Sequence, residues 1–220
     1  MAKLVLHYFL VIGILFFIAS CAAIKYETYP DIDHVIASWY GHDFHGKPTA
    51  SGEIFDMYAM TCAHRKYPFG TKLRVTNPSN NKKAYCTVND RGPFVSGRDI
   101  DLSYAVAKEI GLMGLGVGRV KVEYLGKDTS YIREVKYLSD TGPFTVQVGS
   151  FRDLSNAARL KKSLELNYGG VYITEAEIYG NIYYRVRIGK YYMRDDVCRL
   201  AKTLADEGYS VFVTGYEEKI

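Results

Sequence analysis

The second half of the chain is written twice. Val146-Gln147-Val148-Gly149-Ser150-Phe151 recurs forty positions on as Val186-Arg187-Ile188-Gly189-Lys190-Tyr191. At the same spacing Ala158-Arg159-Leu160 is matched by Cys198-Arg199-Leu200, Leu164 by Leu204, and Val171-Tyr172-Ile173 by Val211-Phe212-Val213. Each unit reads as strand, helix, strand. In the second helix Val197, Leu200, Ala201 and Leu204 share one face, and Gly208 stands at its end. Two such units in tandem predict a β-α-β-β-α-β, ferredoxin-like domain over 141–220. Alternation assigns the faces: Val146, Val148, Val186 and Ile188 toward the helices, Gln147, Arg185 and Arg187 away from them. With Ser150 and Tyr184 (or Tyr183), these form a candidate ligand face; a solvated sheet face is the other reading. The face holds no acid/base pair, so it would bind and not catalyse. The repeat also puts Cys198 where the first unit has Ala158, which predicts a buried thiol. Residues 126–140 lack periodicity and carry both charge signs, the pattern of a short linker that keeps two domains close.

The first half is organised around Asn89-Asp90-Arg91-Gly92-Pro93-Phe94-Val95-Ser96-Gly97-Arg98-Asp99-Ile100-Asp101-Leu102-Ser103. Asp90 ends a strand-like run, Gly92-Pro93 turns the chain, and Ser103 is placed as the N-cap of a helix over 104–110. Two carboxylates, Asp90 and Asp101, thus stand at the ends of regular elements on a short loop, which is how a fold presents acid/base groups rigidly. They are equally what a turn and a cap would require. Before this stretch, Leu73 and Val75, then Ala84, Cys86 and Val88, alternate with polar residues around the turn cluster 77–81, a β-hairpin over 71–89. Strands also open at Ile36 and close at Gly118–Tyr124. Short strands, polar turns and one helix predict a small closed barrel over 34–125.

Residues 1–20 read as a targeting segment. Lys3 is followed by an apolar run from Leu10 to Ile18, too short for a comfortable membrane span. Ile18-Ala19-Ser20-Cys21 resembles a bacterial lipobox. The resemblance implies cleavage before Cys21, diacylglycerol on its thiol, and a tether over 21–33. Ala22 in place of Asp favours the outer membrane by analogy. Lipid chains contribute roughly 0.8 kcal/mol per buried methylene, so several anchor firmly. The remaining cysteines are Cys62, Cys86 and Cys198 in an oxidising compartment. At least one thiol is then free, and Cys62 and Cys86, both in strand-like runs, are a candidate pair. The net charge of +4 without any basic run gives no support for a nucleic-acid partner. His42, His45 and His64 fit no zinc spacing, and no cofactor is expected. The 20 tyrosines supply flat faces with a polar tip, which suits sugars.

Ala-Ser-Trp-Tyr-Gly at 37–41, Phe-His-Gly-Lys-Pro-Thr-Ala-Ser-Gly-Glu-Ile-Phe-Asp at 44–56, Ala-His-Arg, Pro-Phe-Gly-Thr, Asn-Asp-Arg-Gly-Pro-Phe and Asp-Ile-Asp-Leu-Ser, in this order, resemble the rare lipoprotein A (RlpA) family. The resemblance implies a six-stranded double-psi β-barrel and a septal lytic transglycosylase acting on peptidoglycan glycan strands. By the same resemblance the site would be Glu53, Asp56, His64, Asp90 and Asp101. Tyr40 and Arg91, inside these blocks, are candidate substrate contacts. Asp101 or Asp90 would donate the proton, the other raising its pKa by like-charge repulsion. Glu53 and Asp56 would line the cleft, and His64 would orient a carboxylate or a sugar. The second half is similar to SPOR domains, which implies binding to septal glycan strands stripped of stem peptides. The alternative is a non-catalytic, expansin-like wall binder.

Overall fold

The computed structural model describes residues 32–217. The leader, Cys21 and most of the tether lie outside the described residues. The barrel consists of β1 (Ile32–Tyr40), β2 (Thr61–His64), β3 (Thr71–Thr76), β4 (Lys83–Asp90), β5 (Ile100–Ser103) and β6 (Val117–Lys127), with helix α1 (Tyr104–Glu109) after β5. The strands close in the order β1-β5-β2-β4-β3-β6. Two neighbouring pairs, β1 with β5 and β2 with β4, run parallel, which is the double-psi arrangement. The expected hairpin forms: β3 and β4 pair antiparallel, Leu73 opposite Cys86. Ser103 caps α1 as expected, its hydroxyl accepting the Val106 amide. Inside the barrel Leu73, Val75, Val88, Ile100, Leu102 and Val120 are fully buried.

The second domain contains β8 (Phe144–Phe151), α2 (Leu154–Leu164), β9 (Val171–Ile178), β10 (Asn181–Tyr191), α3 (Arg194–Asp206) and β11 (Val211–Gly215). It is the β-α-β-β-α-β unit that the repeat predicts. The segment expected as a linker is not featureless. It holds β7 (Val135–Tyr137), which pairs parallel with β11 and extends the sheet to the order β7-β11-β8-β10-β9. A three-residue strand is too short to show a period, and only the exposed edge of β11 selects it. Cys198 differs as well: it is half-buried, not buried, and Tyr137 of this extra strand lies beside it.

One continuous apolar cluster runs through both domains. At the seam Phe69 of the barrel meets Tyr209, edge to face, with centroids 4.9 Å apart. Gly208, at φ +95°, lets the chain pass close, since a Cβ there would stand 3.0 Å from the Phe69 Cβ. The Phe69 amide donates to the Glu207 carbonyl at 2.9 Å and the Arg133 amide to the Ala205 carbonyl at 3.0 Å. The Ser163 hydroxyl donates to the Arg65 carbonyl at 2.8 Å.

Candidate functional site

The geometry of the barrel sets two aspartates in one row. Asp90 on β4 stands opposite Ala63 on β2, Ala63 opposite Asp101 on β5, and Asp101 opposite Ser38 on β1. Neighbouring strands are about 4.8 Å apart, so the two aspartate backbones lie roughly 10 Å apart. On the intervening strand the residue between them is Ala63, whose side chain is a single methyl group. A register shift between Cys62 and Ala63 brings this row into line. Above it opens a cleft of about 670 Å³, walled by Trp39, Tyr40, Phe44, Phe94, Arg98 and Arg159 among others.

The two carboxylates have different surroundings. Asp90 is 7% exposed. Its Oδ1 accepts the amides of Ala50 and Arg91, both at 2.8 Å. Burial raises its pKa, and it outweighs those two bonds and the nearby positive charges of Arg159 and Arg91. The like charge of Asp101, expected from the sequence to be the cause, is not: it stands two strands away. Asp101 instead receives the Ser38 hydroxyl and, at 2.5 Å, an Arg98 amine on its Oδ1. Tyr40, which lines the same cleft, stacks on Phe55, centroids 4.2 Å apart. The Tyr40 hydroxyl is buried without a hydrogen-bond partner among the described residues. Burial, then the charges of Asp90 and Asp101, raise its pKa well above the usual phenol range. It therefore keeps its proton, under the influence of both carboxylates.

Several residues expected in the cleft stand elsewhere. Arg91 borders it, but its guanidinium points into the domain seam. It lies 3.7 Å over the Phe69 ring and donates to the Tyr209 hydroxyl at 2.8 Å and the Tyr67 carbonyl at 2.9 Å. Glu53 does not line the cleft; it accepts Asn89 Nδ2 at 2.7 Å and faces the Tyr131 hydroxyl. Asp56 is an exposed turn residue that accepts the Tyr58 amide at 2.9 Å. The His64 imidazole is half-buried, and its Nδ1 accepts the amides of Lys66 and Tyr67 at 3.1 and 2.9 Å. Burial, with Arg91, Arg65 and Lys66 nearby, lowers its pKa to about 3. It is a neutral buttress under the turn whose Tyr67 carbonyl holds Arg91. Ser38, Ala63, Phe44, Arg98 and Arg159 were not anticipated. Arg98 lies inside the organising stretch, but no pattern links Arg159, in the other domain, to the barrel.

Cys62 and Cys86 are joined, with Cα atoms 5.9 Å apart. On the open sheet face of the second domain Gln147, Arg185 and Arg187 line a groove of about 420 Å³ with Phe212, Thr214 and Glu217. Ser150 pairs opposite Arg185 and is exposed. Arg187 is 1% exposed and donates to Glu217 at 3.0 Å. Tyr184 packs against the core, so Tyr183 is the tyrosine that shares the arginine face. Among the described residues no group of His, Cys, Asp and Glu could hold a metal ion.

Residues 32–124 match the family described as "Lytic transglycolase" and residues 140–215 the SPOR domain. The chain is thus a double-psi barrel of lytic-transglycolase type fused to a SPOR domain. It is 36% identical over 178 residues to the endolytic peptidoglycan transglycosylase RlpA of Vibrio cholerae, covering 80% of this chain and 66% of that protein. To the protein of the same name from Pseudomonas aeruginosa it is 55% identical over 87 residues, covering 40% of this chain and 26% of that one. The crystal structure of the Pseudomonas aeruginosa RlpA SPOR domain aligns with 27% identity and a TM-score of 0.29, covering 32% of this chain and 96% of that one. The chain belongs to the RlpA family. It spans less than two thirds of the length of these two curated relatives.

Proposed function

We propose that this protein is an endolytic lytic transglycosylase that cleaves the MurNAc–GlcNAc β-1,4 bonds of peptidoglycan strands. The observation that carries this reading is Asp90, a buried carboxyl with a raised pKa at the floor of a cleft large enough for sugar rings. Protonated, it gives its proton to the leaving glycosidic oxygen as the bond to the anomeric carbon breaks. The carboxylate left behind then takes the proton of the sugar's own 6-hydroxyl, whose oxygen closes on the anomeric carbon. The product ends in a 1,6-anhydro ring, the acid is regenerated, and no water is consumed. The Tyr40 hydroxyl supplies a hydrogen bond to the substrate, and Asp101, fixed by Ser38 and Arg98, supplies negative charge across the row as positive charge develops on the ring. Glu53 steadies Asn89, the neighbour of Asp90. His64 positions Arg91, and Asp56 has no part in the chemistry.

The SPOR groove of Gln147, Arg185 and Arg187 binds stem-peptide-free strands and raises the local concentration of the barrel at the septum. A lipid on Cys21 holds the protein in the cell envelope, at the periplasmic face of the outer membrane. The deciding experiment incubates the protein with amidase-stripped peptidoglycan and analyses released fragments by mass spectrometry. Anhydro-ended fragments, lost with Asp90→Asn, are expected. Ordinary reducing ends would mean a hydrolase, and sedimentation with the glycan but no release would leave a wall binder.

A further inference from the structure

We propose, on the transglycosylase reading above, that Arg159 of the SPOR domain is a substrate-positioning residue of the barrel's cleft, recognising a free carboxylate on the sugar. The two domains then share one composite site. Arg159 sits on α2, yet it lines the same cleft as Asp90, Tyr40 and Asp101. Its guanidinium lies 5.8 Å from the ring of Phe44, a barrel residue. One amine is held by the Asn156 side chain on the same helix. Its charge acts on both Asp90 and Tyr40. No carboxylate of the barrel is paired with it among the described residues.

The placement is fixed by the seam. Tyr209 is buried against Arg91 and Phe69, and backbone bonds cross at Phe69–Glu207 and Arg133–Ala205. A guanidinium held half-buried beside an aromatic wall is suited to a planar anion such as a carboxylate. A glycan strand stripped of its stem peptides offers that group in one place per disaccharide. The lactyl carboxyl of MurNAc is an amide while the stem peptide is attached and a carboxylate once it is removed. Arg159 therefore lets the cleft itself distinguish stripped from peptide-bearing strands, separately from the sheet groove of Arg185.

The test is calorimetric binding to the full chain carrying Asp90→Asn, so that no turnover is needed. The probes are a GlcNAc–MurNAc tetrasaccharide with free lactyl carboxylates, the same sugar with those groups converted to methylamides, and its stem-peptide-bearing form. The free carboxylate is expected to bind about tenfold more tightly than the methylamide, a margin in keeping with one charge-assisted contact. Arg159→Ala should remove that margin and leave methylamide binding unchanged, whereas Arg159→Lys should restore part of it. Arg185→Ala should weaken both sugars alike. Preference for the peptide-bearing form that depends on Arg159 would assign the arginine to a peptide carboxylate and overturn the lactyl assignment. A margin that survives Arg159→Ala, in a variant with unchanged Tm, would overturn the proposal. If the margin follows Arg159 but the Asp90-intact chain releases no fragments, the enzyme reading falls and the composite site stands.

Discussion

Asp90 and His64 show what burial does to two titratable groups a few residues from one cleft. Asp90 has a raised pKa, so its stability contribution is complete below the unfolded carboxylate pKa and is lost as pH rises through the folded value. Above that value the fold carries a buried carboxylate that it would hold more favourably as an acid. Asparagine keeps the oxygen that accepts the Ala50 and Arg91 amides. Asp90→Asn should therefore raise Tm at about pH 7 by roughly 2–4 °C, a gain that fades toward pH 3, while glycan release is lost. An unchanged or lower Tm would contradict the desolvated carboxylate. For His64 the sign is reversed. Its folded pKa of about 3 lies below the unfolded value, so its contribution is present above that value and is lost as pH falls through the window. The loss approaches 1.4 kcal/mol per pH unit between about 6.5 and 3. Urea melts should show His64→Gln less stable than the wild type at about pH 7, with the difference shrinking steadily toward pH 4.

Among the elements, the strand row matters most. Ala63 on β2 is the spacer between Asp90 and Asp101, and its smallness keeps the floor of the cleft open. Ala63→Leu adds three carbons there. Turnover should fall by about a hundredfold or more, through binding as well as rate, as a misplaced reacting group commonly costs. A normal KM would show that sugars do not reach this floor. The disulfide ties β2 to β4, the two strands that present Ala63 and Asp90. Closing a loop of this size is worth roughly 3 kcal/mol, so replacing Cys62 and Cys86 by alanine should lower Tm by roughly 6–12 °C. Dithiothreitol should lower the wild type and leave the double variant unmoved.

At the scale of the whole molecule, Arg91 is the keystone. It belongs by sequence to the cleft-bordering loop, but its side chain is used in the seam, over Phe69 and on Tyr209. Arg91→Ala leaves the Tyr209 hydroxyl and the Tyr67 carbonyl buried with one donor fewer, a loss of about 1–3 kcal/mol for each group stranded. Calorimetric scans should then resolve two transitions where the wild type shows one, and turnover should fall because Arg159 is no longer held beside Asp90. A single transition with unaltered turnover would mean that Arg91 does not couple the two domains.

The sequence alone determined the barrel and the repeat domain, because each follows from local periodicity: alternation in strands, one apolar face on α3, Ser103 at a cap, an echo at constant spacing. It also marked the strand end at Asp90, since a strand-like run followed closely by Gly-Pro is a local signal. It could not separate Asp90 from Asp101, because their difference is burial, which depends on the rest of the fold. Glu53, Asp56 and His64 share a motif with the cleft residues but not their direction, since orientation within a loop is decided by which backbone amides the side chain reaches. β7 exists only because β11 offers it an edge. Arg159, Tyr209 and the seam were invisible for the same reason: contact between distant segments is set by packing and is not written in the spacing of either.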